Sequence, residues 1–145
     1  MMISTKGRYA LRVMIYLALH GRDQYIPLKA ITDKEEISIK YLEAIIAVLN
    51  KAGLVEGVRG KGGGYRLTRA PGDYTVGSIL KLTEGTLAPV ACLECQSNTC
   101  KRASSCPTLP MWKKLNTLID NFFAEITLED LANEAIDPKS NDHII

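Results

Sequence analysis

The sequence predicts a mainly α fold with a small β-hairpin, and three observations lead there. Apolar residues recur at spacings of three and four in several stretches of the 145-residue chain. Two short β-prone runs, Leu54 to Arg59 and Tyr65 to Leu67, flank a glycine-rich tip at residues 60–64. Ser38, Thr75 and Thr127 stand at the starts of periodic stretches, where a hydroxyl can cap a helix. Apolar residues make up 46% of the chain and charged residues 23%, so disorder and a collagen-like repeat are both excluded.

The first helix is amphipathic. Arg8, Arg12, Tyr16 and His20 follow one another at four-residue spacing as a polar stripe. Ala10, Leu11, Met14, Ile15, Ala18 and Leu19 are expected on the opposite face. Basic residues followed by the apolar run Val13 to Leu19 imitate an export signal, but the polar stripe and the lack of an A-x-A site argue against one. A cytoplasmic protein is the expectation. No stretch approaches the ~18 apolar residues that a membrane span requires.

Leu28 to Glu35 reads as a short helix, and Glu36-Ile37 as a tight connection to the next. That next helix is capped by Ser38, carries Leu42, Ile45, Ile46 and Leu49 on one face, and stops at Gly53. Two helices so joined form a helix-turn-helix, and a hairpin directly after it is a wing. Thr75 is expected to cap a helix to about Leu82, whereas 83–110 has no clean period. Trp112, Leu115, Ile119, Phe122 and Ile126 repeat at three and four, the seam of a short coiled coil and hence of a homodimer, with a helix packed onto its own domain as the alternative. Thr127 opens a last helix with Asp130 three residues on, and Ile126 and Leu131 are placed for a hydrophobic staple. The expected organisation is a winged helix-turn-helix domain at 1–83, a cysteine-bearing loop at 84–110, dimerisation helices at 111–135 and a tail at 136–145.

The net charge is only +2, but the halves differ: residues 1–70 hold 12 Lys and Arg against 6 acidic residues, and residues 71–145 hold 6 against 10. A basic front half points to a polyanion met by that part alone. Turning the apolar stripe of the third helix inward leaves Ser38, Lys40, Tyr41, Glu43, Ala44 and Ala47 outside. Short or hydrogen-bonding side chains suit entry into the ~12 Å major groove of double-stranded DNA. Lys40 and Tyr41 suit phosphates or base edges, and Glu43 can accept from cytosine N4 while repelling phosphate. In the wing, Arg59 and Lys61 flank Gly60, a geometry that lets a narrow tip approach a groove. The sequence lacks the G-x-x-x-x-G-K-[ST] pattern of a nucleotide loop.

Cys92, Cys95, Cys100 and Cys106 form a C-x2-C-x4-C-x5-C set. Such clustering favours metal or redox chemistry over a disulfide framework. An iron–sulfur cluster, a zinc site and a thiol–disulfide switch all remain open on spacing alone. Lys101 and Arg102 beside Cys100 favour thiolate in each case. The histidines, His20 and His143, stand beside no acid pair or nucleophile motif, and no enzyme is expected.

Ile3-Ser4-Thr5-Lys6-Gly7-Arg8-Tyr9-Ala10, Ser38-x-x-Tyr41-Leu42-Glu43, Gly53-Leu54-Val55 and Val58-Arg59-Gly60-x-x-Gly63-Gly64-Tyr65 resemble the IscR/NsrR/CymR family of bacterial winged helix-turn-helix regulators. So do Leu87-Ala88-Pro89-Val90, Trp112 and Ile126-Thr127-Leu128, and the likeness runs to about residue 134. The resemblance implies a homodimer on a palindromic operator, with long C-terminal helices crossing, recognition helices in the major groove and Arg59 in the minor groove. It further implies an iron–sulfur cluster, of the 2Fe–2S type, on Cys92, Cys100 and Cys106. The histidine that some members place three residues after the last cysteine is Leu109 here, and the N-terminal acid of others is Arg8. Cys95, Glu94 or a small thiol is therefore expected to complete the site. The function implied is control of iron–sulfur biogenesis genes; nitric-oxide, redox or cysteine-metabolism control and a zinc-stabilised DNA-binding module are the alternatives.

Overall fold

The computed structural model describes residues 2–94 and 101–136, with the side chain of residue 136 left aside. Its order is α1 (Thr5–His20), α2 (Leu28–Glu35), α3 (Ile39–Lys51), β1 (Val55–Val58), β2 (Gly64–Leu67), α4 (Val76–Glu84), α5 (Leu109–Glu125) and α6 (Leu128–Ile136). Short 3-10 turns lie at Pro71–Asp73, Ala91–Leu93 and Ala103–Ser105.

The caps foreseen in the sequence are made. Ser38 Oγ accepts from the Tyr41 amide at 3.1 Å, and Thr75 Oγ1 from the Ser78 amide at 3.1 Å. Thr127 and Asp130 form a reciprocal capping box, with the Thr127 amide donating to Asp130 Oδ2 (2.9 Å) and the Asp130 amide to Thr127 Oγ1 (3.1 Å). Ser4 caps α1, accepting from the Gly7 amide, and its hydroxyl and amide both donate to Glu84 Oε1 at 2.6 and 3.1 Å. The last residue of α4 thereby closes the first turn of α1.

The turn between α2 and α3 is less ordinary. Glu36 caps α2 with φ 56°, a left-handed conformation that costs an L-residue roughly 1–2 kcal/mol. Glu36 is exposed, so glycine can replace it without loss of packing. Glu36→Gly is expected to raise the unfolding free energy by about 1 kcal/mol in chemical denaturation, with the helix-turn-helix unchanged. No gain, or a loss, would show that the left-handed turn is not under strain.

The main core gathers Ala10, Val13, Met14, Leu17, Ile31, Leu42, Ile45, Leu49, Val55, Tyr74, Ile79, Leu128 and Ala132. The buried side of α1 is thus turned from the expected one: Val13 and Leu17 are fully enclosed, while Leu11, Ile15 and Leu19 are half-buried. With so many apolar positions, periodicity alone does not choose the innermost face. Leu128 and Ala132 place α6 in the core of the winged domain, and the Leu128 amide donates to Tyr74 O at 2.9 Å. Of the helices expected at 111–135 for dimerisation, α6 thus also packs on its own winged domain, because a connection as short as Ile126-Thr127 folds it back on α1.

β1 and β2 pair antiparallel, Val55 opposite Leu67 and Val58 opposite Gly64. Ile26 adds a bridge to Tyr65, and at Gly64 a Cβ would collide with the Ile26 backbone, so only glycine lets the chains approach there. The base of the hairpin is held by Tyr74, whose hydroxyl donates to Leu54 O (2.8 Å) and accepts from the Thr68 and Arg69 amides (3.1 and 3.0 Å).

A second cluster joins Val76, Leu80 and Leu87 to Ile3, Ile119, Phe123, Ile126 and Leu131. Ile126 and Leu131, the staple pair, both pack here. The seam expected at Trp112, Leu115, Ile119, Phe122 and Ile126 is split by this packing. Ile119 and Ile126 turn inward and Trp112 is half-buried, whereas Met111, Leu115, Leu118 and Phe122 stay 52%, 37%, 66% and 59% exposed. Two apolar stripes interleave on α5, and α4 covers one of them. The exposed stripe keeps the repeat of four, three and four residues.

Candidate nucleic-acid interface

α3 and the hairpin place the expected contact residues on the surface. Ser38, Lys40, Glu43, Ala44 and Ala47 are exposed on α3, and Val58, Arg59, Gly60 and Lys61 are exposed at the wing. The tip closes through the Gly63 amide donating to Gly60 O at 3.0 Å, with Gly60 and Gly62 both at positive φ. Tyr41 differs from the expectation. It is half-buried, because its ring packs edge-on against Tyr9, centroids 5.9 Å apart.

Behind Tyr41 lies a stack that the sequence reading did not find. The Arg12 guanidinium sits 5.3 Å from the Tyr9 ring centre, and its Nε is 2.6 Å from Oε2 of the buried Glu35. That contact is an ion pair without hydrogen-bond alignment. It ties α1 to the end of α2 and supports the aromatic pair beneath α3. Only the four-residue spacing of Arg8, Arg12 and Tyr16 hinted that Arg12 faces outward, and nothing in spacing paired it with Glu35.

The cysteine segment is described in part. Cys92 lies in the turn Ala91–Leu93 and Cys106 just ahead of α5, both half-buried and both free thiols. The Thr108 hydroxyl, 3.4 Å from Cys106 Sγ, pulls the thiol pKa below its ordinary value, with backbone amide help. Cys95 and Cys100 lie outside the described residues, as do the tail and His143. Among the described residues no three potential ligands come together. The two described thiols suit a thiolate-held group in donor chemistry, for Cys106 is biased toward the anion that binds metal. Leu109 is buried at the start of α5, so its side chain serves packing. Arg8 is exposed and donates to Thr5 Oγ1 at 3.2 Å. Glu94 is exposed in a crevice shared with Lys81, Asn116 and Asp120, where Lys81 and Asp120 pair at 3.3 Å.

A helix-turn-helix followed by a β-hairpin, with a basic glycine tip and an exposed recognition face, defines a winged helix protein. The chain belongs to the Rrf2 family, described as an iron-dependent transcriptional regulator, whose model matches residues 3–134. The transcriptional regulator IscR of Vibrio atlanticus is 36% identical over 137 residues, covering 92% of this chain and 76% of that one. IscR of Yersinia pestis is 35% identical over 147 residues, covering 98% and 88%. Among solved structures, CymR (YrzC), the global cysteine regulator of B. subtilis, superposes with a TM-score of 0.75 at 34% identity, over 92% of this chain and 97% of that one. IscR of T. potens gives 0.71 at 36% identity, over 93% and 88%. The expected resemblance and fold class both hold. The protein is a transcriptional regulator and not an enzyme, and no helix among the described residues is long and apolar enough to cross a membrane.

Proposed function

We propose that the protein is a dimeric, cytoplasmic regulator that binds a palindromic operator in double-stranded DNA and senses iron–sulfur cluster status, controlling cluster biogenesis genes. The observation that carries the DNA reading is the shared exposure of Ser38, Lys40 and Glu43 on α3 and of Arg59, Gly60 and Lys61 at the wing. Tyr41 contributes through its outer edge, with its ring anchored on Tyr9. The dimer forms through Met111, Leu115, Leu118 and Phe122, whose exposure the chain alone leaves uncovered.

The cluster, of the 2Fe–2S type, is held by Cys92, Cys100 and Cys106, with Cys95, Glu94 or a small thiol completing the set. When bound it supplies a site that oxidants, nitric oxide or iron shortage dismantle. The chain's own part is to keep Cys106 thiolate-prone through Thr108. Ordering the cysteine-bearing loop sets how the two winged domains stand relative to each other. The visible absorption spectrum of protein purified without oxygen tests this reading: a coloured protein supports a cluster, whereas a colourless protein with stoichiometric zinc would replace it by a zinc-stabilised module.

The wing and helix are expected to divide the labour. Arg59→Ala should lower operator affinity by about 10- to 100-fold and relax preference at the flanking minor groove. Lys40→Ala should weaken all duplexes alike and lower the salt slope by about 1. Glu43→Ala should broaden sequence choice with little loss on the best site. Titrations of matched and mismatched duplexes at two salt concentrations check this, and equal losses on both in every variant would refute the division.

A further inference from the structure

The outward face of the hairpin carries a second basic feature, separate from the tip. Arg22, Arg66 and Arg69 line one groove of about 300 Å³ with Glu56 and Thr68. Two of the three guanidinium groups lie over aromatic rings. Arg66 Cζ is 4.4 Å from the Tyr25 ring centre, and Arg69 Cζ is 4.9 Å from that of Tyr74, itself fixed by its hydroxyl bonds at the base of the hairpin. A guanidinium stacked by its face keeps its in-plane N–H groups for a forked acceptor. Glu56 Oε1 takes the Arg66 Nε at 2.7 Å and neutralises one charge. Among the described residues neither Arg22 nor Arg69 has a carboxylate partner, so the groove holds two uncompensated positive charges.

We infer that this groove is a phosphate-binding surface for the DNA duplex flanking the operator, outside the step met by Arg59. The inference rests on the DNA-binding reading above. Charge and placement carry it: β2 runs from the tip back to the groove, and the six steps from Gly63 to Arg69 span up to about 20 Å at ~3.3 Å per residue. At 3.4 Å per base pair that distance corresponds to about six base pairs of flank. The preorganised guanidinium of Arg69 and the free one of Arg22 would take backbone oxygens there and read no bases.

The test uses the full chain and two duplexes, the minimal palindrome selected from random sequence and the same site extended by about ten base pairs on each side. Wild type is expected to bind the extended duplex more tightly. The double variant Arg22→Gln/Arg69→Gln should lose that advantage, bind the minimal duplex as wild type does, and show a salt slope on the extended duplex lower by about 2 to 4 for the dimer. Arg22→Lys/Arg69→Lys should restore most of the slope, which counts charges, while regaining only part of the affinity that the forked guanidinium adds. An unchanged circular dichroism spectrum and melting temperature guard against misfolding. Equal loss on both duplexes, or no loss on either, would overturn the inference. So would a double variant with wild-type affinity for both duplexes that loses a thermal stabilisation by inorganic phosphate, which would make the groove a site for a free anion. Failure of wild type to bind any duplex would instead remove the DNA-binding reading and this inference with it.

Discussion

Leu118→Glu should leave the protein folded but monomeric at micromolar concentration, and weaken operator binding by about 10²- to 10⁴-fold. The affinity loss follows because two half-site contacts joined in one body act at an effective concentration that a monomer lacks. Leu118 is the most exposed member of the outer stripe on α5 and belongs to neither core cluster, so the monomer gives up no core packing. Burying the stripe against a partner is worth on the order of 1 kcal/mol per side chain, counted on both helices. Ile119→Ala makes the contrast. Ile119 packs inward with Val76 and Leu80, so its loss should cost about 2 kcal/mol of folding stability and spare the dimer. Sedimentation and denaturation of the two variants separate the outcomes. If Ile119→Ala dissociates the protein and Leu118→Glu does not, the interface follows the other stripe.

Replacing Cys92, Cys100 or Cys106 by alanine should abolish the visible absorption of the anaerobic protein. It should also change operator affinity by about 5- to 150-fold, the range of a coupling of 1–3 kcal/mol. Binding of a metal group and ordering of its loop are one process, so the apo protein and each ligand variant should behave alike. Leu109→Met should keep the absorption, because that side chain is packed and the swap preserves volume. Cys95→Ala separates two sources of the fourth ligand: loss of colour assigns it to Cys95, and retention leaves it to Glu94 or a small thiol. If the three variants lose the cluster yet bind every duplex as wild type does, the cluster does not control DNA binding.

What could be read in the sequence divides along physical lines. Caps are local: a hydroxyl before a periodic run meets an amide three residues on, so Ser38, Thr75 and Thr127 were legible without any tertiary knowledge. The extents of α2 and the hairpin follow from equally local signals. Choices between competing apolar faces are not local. α5 offers two stripes, and spacing within the helix does not say which one meets α4. Nor does the sequence show locally that α6 packs on α1 and donates to Tyr74 O. The exposed face of α3 emerged from turning its apolar stripe inward, and the exposed tip of the wing from its glycines. The supports behind them did not, since Arg12 with Glu35, Arg66 with Tyr25 and Arg69 with Tyr74 are pairings across elements with no common period. The left-handed turn was hidden for another reason: its position holds glutamate where glycine would have announced it.

The closure of α1 by Glu84 has a consequence for how this chain can change. A Cβ built on Gly7 would run into the Glu84 carboxylate, so the smallness of residue 7 is imposed from seventy-seven positions away. Neither residue can be judged tolerant or intolerant by itself. With Glu84 in place, Gly7→Ala has to displace a carboxylate that Ser4 holds by two hydrogen bonds; with a short side chain at 84, the same alanine keeps only a tight contact with the Thr83 hydroxyl and gains helix propensity. The cost of alanine at position 7 is thus set by the residue at 84, and a glycine-bearing start of α1 reaches an alanine-bearing one more cheaply after a change there.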